Sequence, residues 1–250
     1  LAGGADPNTP LPSGETPLME GARRGNVATV RALLANKANP NARESNGGQT
    51  ALMWAVSQRQ SAAVEALLDG GADVHAGSKT GFTPLMFAAQ QGDAATARIL
   101  LRAGAKPNDA QPKKALTALM IATAMAHAEV TDVLLENGAK PDLVDADGYS
   151  ALHRVVRDSD YGINPASKDA VLTVVKSLLK HGADPNIRLT QDKEKAAEEI
   201  RNGNIQQAER RSAVTVNEII LQGATPLFLA AEVNNLDVIK ALVEAGADPV

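Results

Sequence analysis

A unit of 33 or 34 residues recurs along most of this sequence, and this period constrains the fold more than any other feature. The unit is clearest at Gly81 to Asn108, which reads GFTPLMFAAQQGDAATARILLRAGAKPN. Its copies can be aligned on one hydroxyl residue, and the first intervals are 34, 33, 34 and 33 residues. The aligned residues are Thr16, Thr50, Thr83, Thr117, Ser150 and, after a gap, Thr225. A period of this length indicates an array in which each unit buries its apolar faces against its neighbours.

Each unit predicts two short helices. Thr83 supplies a side-chain oxygen to the free N–H groups of a first turn, and Pro84 suits the first helical position because no donor is needed there. Asp93 can cap a second helix, whose apolar residues again follow helical spacing. Gly104 stands where a left-handed residue ends a helix. An extended loop, here called a finger, then leads to the next unit.

The motifs that carry these signals resemble the ankyrin repeat. They are TPLM at 16–19 and 83–86, TALM at 50–53 and 117–120, SALH at 150–153, TPLF at 225–228, and GADPN at 4–8 and 182–186. The resemblance implies an all-α solenoid of helix-turn-helix units joined by hairpin-like fingers. It also implies a non-catalytic scaffold that binds a protein partner through a concave groove formed by the fingers and first helices.

The period divides the chain as one ankyrin-repeat domain over residues 1–250. Repeat five has 11 extra residues between its helices, around 158–165, and a longer insertion follows it. The insertion is predicted to hold helices at 192–201 and 205–221, and it could be a partner-specific arm, a lid on the groove or a bulge. The segments are 1–13 (the end of a preceding repeat), repeats at about 14–47, 48–80, 81–114, 115–147, 148–190 and 223–250, and the insertion at 191–222.

Two positions depart from the repeat pattern in a way that affects the backbone. Lys37 replaces the glycine at the end of a second helix, and Ala115 replaces the glycine of a finger turn. A left-handed residue other than glycine is costly, so we expect a weaker turn at Lys37 and an altered finger at 111–116. The chain also opens within a repeat and ends on GADPV, so we expect that the natural protein continues or that another element covers its last repeat.

Composition excludes several classes of function. The net charge is −4 and Lys and Arg are dispersed, which gives no support for nucleic-acid binding. There is no cysteine, so disulfides and thiolate metal sites are excluded, and both cytoplasmic and extracytoplasmic compartments stay open. No apolar run is long enough for membrane insertion. No cofactor is predicted.

The residues that could suggest catalysis or metal binding have structural explanations. His153 ends the SALH motif, where the family resemblance implies a histidine that supports the turn through hydrogen bonds. Asp145 and Asp147 precede Gly148 as in a calcium loop, but Leu143 stands where the first ligand should be, and a finger turn explains the same residues. The sequence therefore predicts that this chain is not an enzyme.

Large apolar residues at the finger tips indicate a protein-binding patch. The position before the aligned Thr or Ser lies at the exposed tip in this family, and here it holds Phe82, Leu116 and Tyr149. Trp54 and Phe87 stand four residues after the Thr and are expected to be neighbours across adjacent repeats. Exposed aromatic residues of this kind suit an interaction hot spot. The predicted partner-binding residues are Arg23, Arg24, Trp54, Gln58, Phe82, Phe87, Gln90, Leu116, Met125, Tyr149 and Arg157.

Two other functions remain open from the sequence alone. The chain could be a regulatory or targeting domain of a larger enzyme or secreted effector, in which case catalytic motifs would lie outside residues 1–250. It could also be a spacer, which predicts that no partner is enriched in a pull-down. The identity of a protein partner cannot be read from the repeat pattern.

Overall fold

A computed structural model describes residues 5–158, 167–189 and 223–249. Within these ranges the chain forms helices in pairs, and the all-α prediction is confirmed. The pairs are α1 (Pro17–Arg23) with α2 (Val27–Ala35), α3 (Ala51–Ser57) with α4 (Ser61–Asp69), α5 (Pro84–Gln91) with α6 (Ala94–Arg102), α7 (Ala118–Ala124) with α8 (Ala128–Glu136), α9 (Ala151–Asp158) with α10 (Lys168–Lys180), and α11 (Pro226–Glu232) with α12 (Leu236–Glu244).

The helix starts follow the predicted capping chemistry. The hydroxyls of Thr16, Thr50 and Thr83 each accept a hydrogen bond from the N–H three residues later, at 3.4 Å. Asp93 caps α6 by accepting the Thr96 N–H at 3.0 Å. A capping side chain contributes about 1 kcal/mol to a helix, so the repeated Thr sets where each first helix begins.

Contacts group the chain into two compact units, and the first comprises Leu1–Ala122 with Glu129–Ala139. In this N-terminal unit α3 packs between α1 and α5, and α4 packs between α2 and α6. Each buried Leu or Met contributes about 1.5–3 kcal/mol by leaving water, so stacking of repeats supplies the core. Its fully buried large side chains are Leu18, Met19, Leu52, Met53, Leu67, Leu85, Met86, Leu100, Leu119, Met120 and Leu134.

The second unit comprises Thr123–Ala128 with Lys140–Val250. In this C-terminal unit α9 packs against both α10 and α11, and α12 packs against α10 and α11. Its core contains residues that are at most 2% exposed, among them Leu152, Val155, Val174, Leu178, Leu229 and Leu242. The stacking of repeat six on repeat five is therefore kept despite the insertion between them in sequence.

The long insertion leaves and re-enters the fold at a finger tip. The Leu189 N–H donates to the Ala224 carbonyl at 2.9 Å, and the Gly223 N–H donates to the Leu189 carbonyl at 3.0 Å. The same two bonds close the finger at 78–82, where only Lys79 and Thr80 lie between the equivalent residues. The two backbone hydrogen bonds at the base of the finger are thus kept when residues 190–222 replace a two-residue tip. The helices predicted at 192–201 and 205–221, and the loop at 159–166, lie outside the described residues.

The finger at 111–116 differs from its neighbours, as predicted. Ala115 has a left-handed φ of 52°, its N–H donates to the Gln111 carbonyl at 2.8 Å, and an isolated bridge joins Ala110 to Thr117. The earlier fingers are linked by backbone bonds from Ser45 N–H to the Ser13 carbonyl and from Lys79 N–H to the Gly47 carbonyl, both 2.8 Å. Pro112 occupies the matching position of the fourth finger and has no N–H, so this link is missing there.

Lys37 adopts the strained turn that the sequence predicted. Its φ is 67°, where the matching Gly71 and Gly104 have 85° and 96°. We expect Lys37→Gly to raise the free energy of unfolding by about 1 kcal/mol, because glycine carries no steric penalty at positive φ. Guanidinium denaturation of the full chain, followed by a signal from the N-terminal unit, measures this gain in the free energy of unfolding. Lys106→Gly, at an exposed lysine outside the left-handed region, is the matched control and should give no gain.

Among the described residues, no helix combines the length and the apolar character that a membrane crossing requires.

Candidate protein-binding surface

One side of the N-terminal unit brings together most of the predicted contact residues. We call it the finger surface and define it as the finger tips at 11–15, 44–49, 78–82 and 111–116 together with the first helices at 16–24, 50–59, 83–92 and 117–122. Each first helix begins directly after a finger through its Thr cap, so the residue before the Thr lies close to the first turns of the helix.

The aromatic pair of repeat three forms the centre of this surface. The rings of Phe82, at the finger tip, and Phe87, on α5, lie with centroids 5.5 Å apart at an interplanar angle of 64°. Such edge-on pairs contribute about 0.5–1.5 kcal/mol beyond the area they bury, so the two side chains hold each other in place. Both are half-buried, so part of each ring is accessible to a partner.

Trp54 and Leu116 extend the aromatic pair into the adjacent repeats. Trp54 on α3 occupies the helical position of Phe87 one repeat earlier, and Leu116 occupies the tip position of Phe82 one repeat later. Both are half-buried, whereas Ile121, at the Trp54 position of repeat four, is only 8% exposed. At the tip and helix positions of repeats two to four, the partly exposed apolar residues are Trp54, Phe82, Phe87 and Leu116, which we call the apolar patch. Leu11, in the first finger tip, is also exposed, at 60%.

The predicted polar contact residues of the N-terminal unit are exposed. The side chains of Arg23 and Arg24 are 50% and 72% exposed, and both bind Glu20, with Arg23 Nε 2.9 Å from Glu20 Oε2. Hydrogen bonds from the two guanidinium groups lower the pKa of Glu20 to about 2. Gln58 and Gln90 are exposed at the ends of α3 and α5.

The other predicted residues belong to the C-terminal unit, and the prediction of an exposed Tyr149 is wrong. Tyr149 is 2% exposed. The guanidinium carbons of Arg154 and Arg157 lie 5.3 and 4.5 Å from the centre of its ring, and His153 meets it edge-on. The ring is therefore covered by side chains from the first two turns of α9. Arg157 and Met125 are half-buried.

A buried ion pair beside Tyr149 was missed by the sequence reasoning. The Asp145 side chain is 1% exposed and accepts the N–H groups of Asp147 at 2.8 Å and Tyr149 at 3.0 Å. Arg154 Nε donates to the same carboxylate at 2.7 Å. The finger-turn interpretation of Asp145 is confirmed, and the available signal was Arg154, a cation at the position of Trp54 and Phe87. Within the described ranges no group of three or more His, Asp or Glu side chains is placed to hold a metal ion.

His153 has the structural role that the family resemblance implied. It is fully buried, and its Nδ1 accepts the Ser150 N–H at 3.2 Å. This leaves the proton on Nε2, which lies 3.1 Å from the Ala224 carbonyl and donates to it. The imidazole thus joins the start of α9 to the residue that closes the finger beyond the insertion. A side chain without solvent access and with both nitrogens bonded is not available to a substrate.

The burial of His153 makes the stability of the C-terminal unit depend on pH. Burial lowers its pKa below the usual value, against the opposing effects of the Ala224 carbonyl and the Asp145 charge. Below pH ~6.5 the unfolded chain binds a proton that the folded chain excludes, so the C-terminal unit loses stability as pH falls from ~6.5 towards the folded pKa. Denaturation midpoints at pH 7.5, 6.5 and 5.5 measure this loss, and His153→Asn should reduce it. His75→Asn, at an exposed histidine, should leave it unchanged.

Comparisons with known proteins agree with the helix pairs and fingers. The family model described as "Ankyrin repeats (3 copies)" matches residues 1–78 and 85–189, and the model described as "Ankyrin repeat" matches 222–250. An ankyrin repeat domain from Acinetobacter baumannii AYE, known from a crystal structure, has 26% sequence identity to this chain. The two structures superpose with a TM-score of 0.72, and the match covers 93% of this chain and 98% of that chain. No curated protein matches. The chain belongs to the ankyrin-repeat family.

Proposed function

We propose that this protein is a non-catalytic interaction module that binds a protein partner at the finger surface of its N-terminal unit. Ankyrin repeats are generally protein–protein interaction modules. The observation that carries the proposal is the half-buried pair Phe82 and Phe87, flanked by Trp54 and Leu116. Aromatic residues are enriched in binding hot spots, where a few side chains supply most of the affinity.

Preorganisation supports this surface as a binding site. Phe82 is held by its contact with Phe87 and by a backbone bond from the Ser78 N–H to its carbonyl at 2.9 Å. The Phe82 N–H in turn donates to the Ser78 hydroxyl at 3.1 Å. Because these side chains are already ordered, they lose little conformational entropy when a partner binds. A larger part of the free energy of the contacts therefore contributes to affinity.

Alanine at Phe82 and Phe87 tests the proposal. Partners are first captured from a lysate on the wild-type chain and identified by mass spectrometry, and affinity is then measured with the purified partner. Each substitution is expected to weaken binding at least tenfold, or about 1.4 kcal/mol. Thermal unfolding of each variant checks that the repeats still fold.

Phe228→Ala is the matched control. Phe228 is 50% exposed and lies on α11 in the C-terminal unit, so the substitution removes an aromatic ring that is more accessible than Phe82 or Phe87 and does not belong to the finger surface. Binding by this variant should equal that of the wild type. Full retention of binding by both Phe82→Ala and Phe87→Ala would contradict the proposal.

A further inference from the structure

Charge is distributed unequally between the two sides of the N-terminal unit. The finger surface carries six Lys or Arg residues against three Glu, although the whole chain has a net charge of −4. The outer helices α2, α4 and α6 with residues 129–136 of α8 show the opposite balance, with three Arg against five acidic residues. The cations of the finger surface are Arg23, Arg24, Arg59, Lys79, Lys113 and Lys114.

Two of the three carboxylates on the finger surface are already engaged. Glu20 is bound by both Arg23 and Arg24. Glu44 is 6% exposed, and its oxygens accept the N–H groups of Gly47 and Gln49, each at 2.8 Å. Burial raises the pKa of Glu44, but these backbone hydrogen bonds outweigh it and lower the pKa, so the carboxylate stays charged inside its own finger. Neither group is free to repel an acidic ligand at close range.

Four cations belong to the same fingers and helix ends as the apolar patch, and they are exposed to solvent. Lys113 and Lys114 stand at the tip of the finger that carries Leu116, three and two residues before it. Lys79 lies three residues before Phe82, and its ammonium group donates to the Ser45 carbonyl. Arg59, just beyond α3, donates to the Gln91 carbonyl. A neutral carbonyl orients such a cation but does not cancel its charge.

We infer that the finger surface binds an acidic polypeptide segment that inserts an aromatic or aliphatic side chain at the apolar patch. This inference rests on the proposed function, and it adds the chemical class of the protein partner. Apolar contacts with Trp54, Phe82, Phe87 and Leu116 anchor the segment. Its Asp and Glu side chains face the lysines of the finger tips, where complementary charge raises the association rate and selects against basic partners.

A nucleic acid is the other polyanion that such a surface could attract, and the geometry favours a polypeptide. Bases are bound by stacking on accessible aromatic faces. Phe82 and Phe87 instead pack against each other edge-on at 64° and are half-buried, so neither ring presents a fully accessible face on which a base could stack. The excess of three positive charges on the finger surface is also small for a site that binds through phosphates.

Selection from a random 16-residue peptide phage library on the immobilised full chain tests the inference. Recovered sequences are expected to be enriched in Asp and Glu together with Trp, Phe or Leu, relative to the starting library. Affinity of a selected peptide, measured by fluorescence anisotropy, should fall at least fivefold between 50 and 300 mM NaCl because surface charge is screened. A labelled 15-residue oligo-dT should bind at least tenfold more weakly.

Charge-removing variants assign the acidic preference to the finger tips. The double variant Lys113→Ser, Lys114→Ser should weaken a selected peptide about tenfold. The matched control Arg98→Ser, Arg102→Ser removes two charges from α6 on the outer side and should leave affinity within twofold. Enrichment of neutral or basic peptides, equal losses in both double variants, or tighter binding of oligo-dT would overturn the inference.

The same selection separates this inference from the proposed function. If peptides are enriched on the wild type but not on Phe82→Ala, and they lack acidic residues, the finger surface still binds polypeptide and only the partner class is wrong. If wild type and Phe82→Ala enrich the same peptides, or neither enriches any, the proposed function and the inference both fail.

Discussion

Replacing His153 with alanine is expected to lower the stability of the C-terminal unit by about 3 kcal/mol. The substitution empties a fully buried site and removes one donor to the Ala224 carbonyl and the acceptor of the Ser150 N–H. Loss of a large buried side chain and loss of the acceptor of the buried Ser150 N–H each cost about 1–3 kcal/mol or more. The Ala224 carbonyl keeps the hydrogen bond from the Leu189 N–H. The effect should be largest between repeats five and six, because the bond to Ala224 joins them.

Guanidinium denaturation combined with hydrogen exchange of the amides in α9 to α12 measures this effect. Exchange in α11 and α12 should accelerate more than exchange in α3 to α6, since unfolding in repeat arrays is governed by individual repeats and their interfaces. His75→Ala, at an exposed histidine, should shift the midpoint by less than about 0.5 kcal/mol. A His153→Ala variant as stable as His75→Ala would show that the imidazole does not join the two repeats.

Asp145→Ala is expected to destabilise the same unit by about 3 kcal/mol. The change removes the acceptor of two backbone N–H groups in the finger turn and leaves the partly buried Arg154 without its counter-ion. Removing one partner of a buried pair costs more than the pair contributes, because the remaining charge is left uncompensated. Tyr149 should become accessible, since Arg154 would no longer be held over its ring.

Two variants identify the cause of the loss. Asp147→Ala removes a carboxylate that is 74% exposed and lies 4.0 Å from Arg154, so it should cost less than about 0.5 kcal/mol. Asp145→Asn keeps an oxygen for the turn N–H groups but loses the charge, so its cost should lie between the two. Denaturation midpoints rank the three variants, and tyrosine fluorescence quenching in a Tyr161→Phe background reports exposure of Tyr149. Equal costs for Asp145→Ala and Asp147→Ala would rule out the buried pair as a stabilising element.

Local chemistry made much of the fold predictable. The Thr caps at 16, 50 and 83, the left-handed Lys37 and the altered finger at Ala115 depend on residues close in sequence, and the structure agrees with each. The structural role of His153 followed from its place in the SALH motif. The buried pair of Asp145 and Arg154 was not predicted, because nine residues separate the partners and the one available signal was a cation, Arg154, at the position of Trp54 and Phe87.

The binding surface was predictable only in part. Phe82, Leu116 and Tyr149 occupy the same repeat position, yet Phe82 and Leu116 stay half-buried while Tyr149 is covered. The difference arises because Arg154 and Arg157 lie over the Tyr149 ring, whereas Phe82 meets one ring, Phe87, at its edge. Exposure at this position depends on what the following helix places beside it, so the repeat pattern alone misassigned Tyr149.

By itself, the sequence determined the family, the helix pairs and the positions of the fingers, because a period of 33 or 34 residues with matched caps permits one way to bury the apolar faces. The tertiary structure decided which finger residues remain accessible and which carboxylates are held in ion pairs or by backbone N–H groups. It also decided at which finger tip the long insertion leaves and re-enters the fold. Those properties depend on side chains and carbonyls that meet across repeats, such as His153 with Ala224 over 71 residues of sequence. Periodicity describes what repeats share, whereas a binding surface is formed by the residues in which the repeats differ.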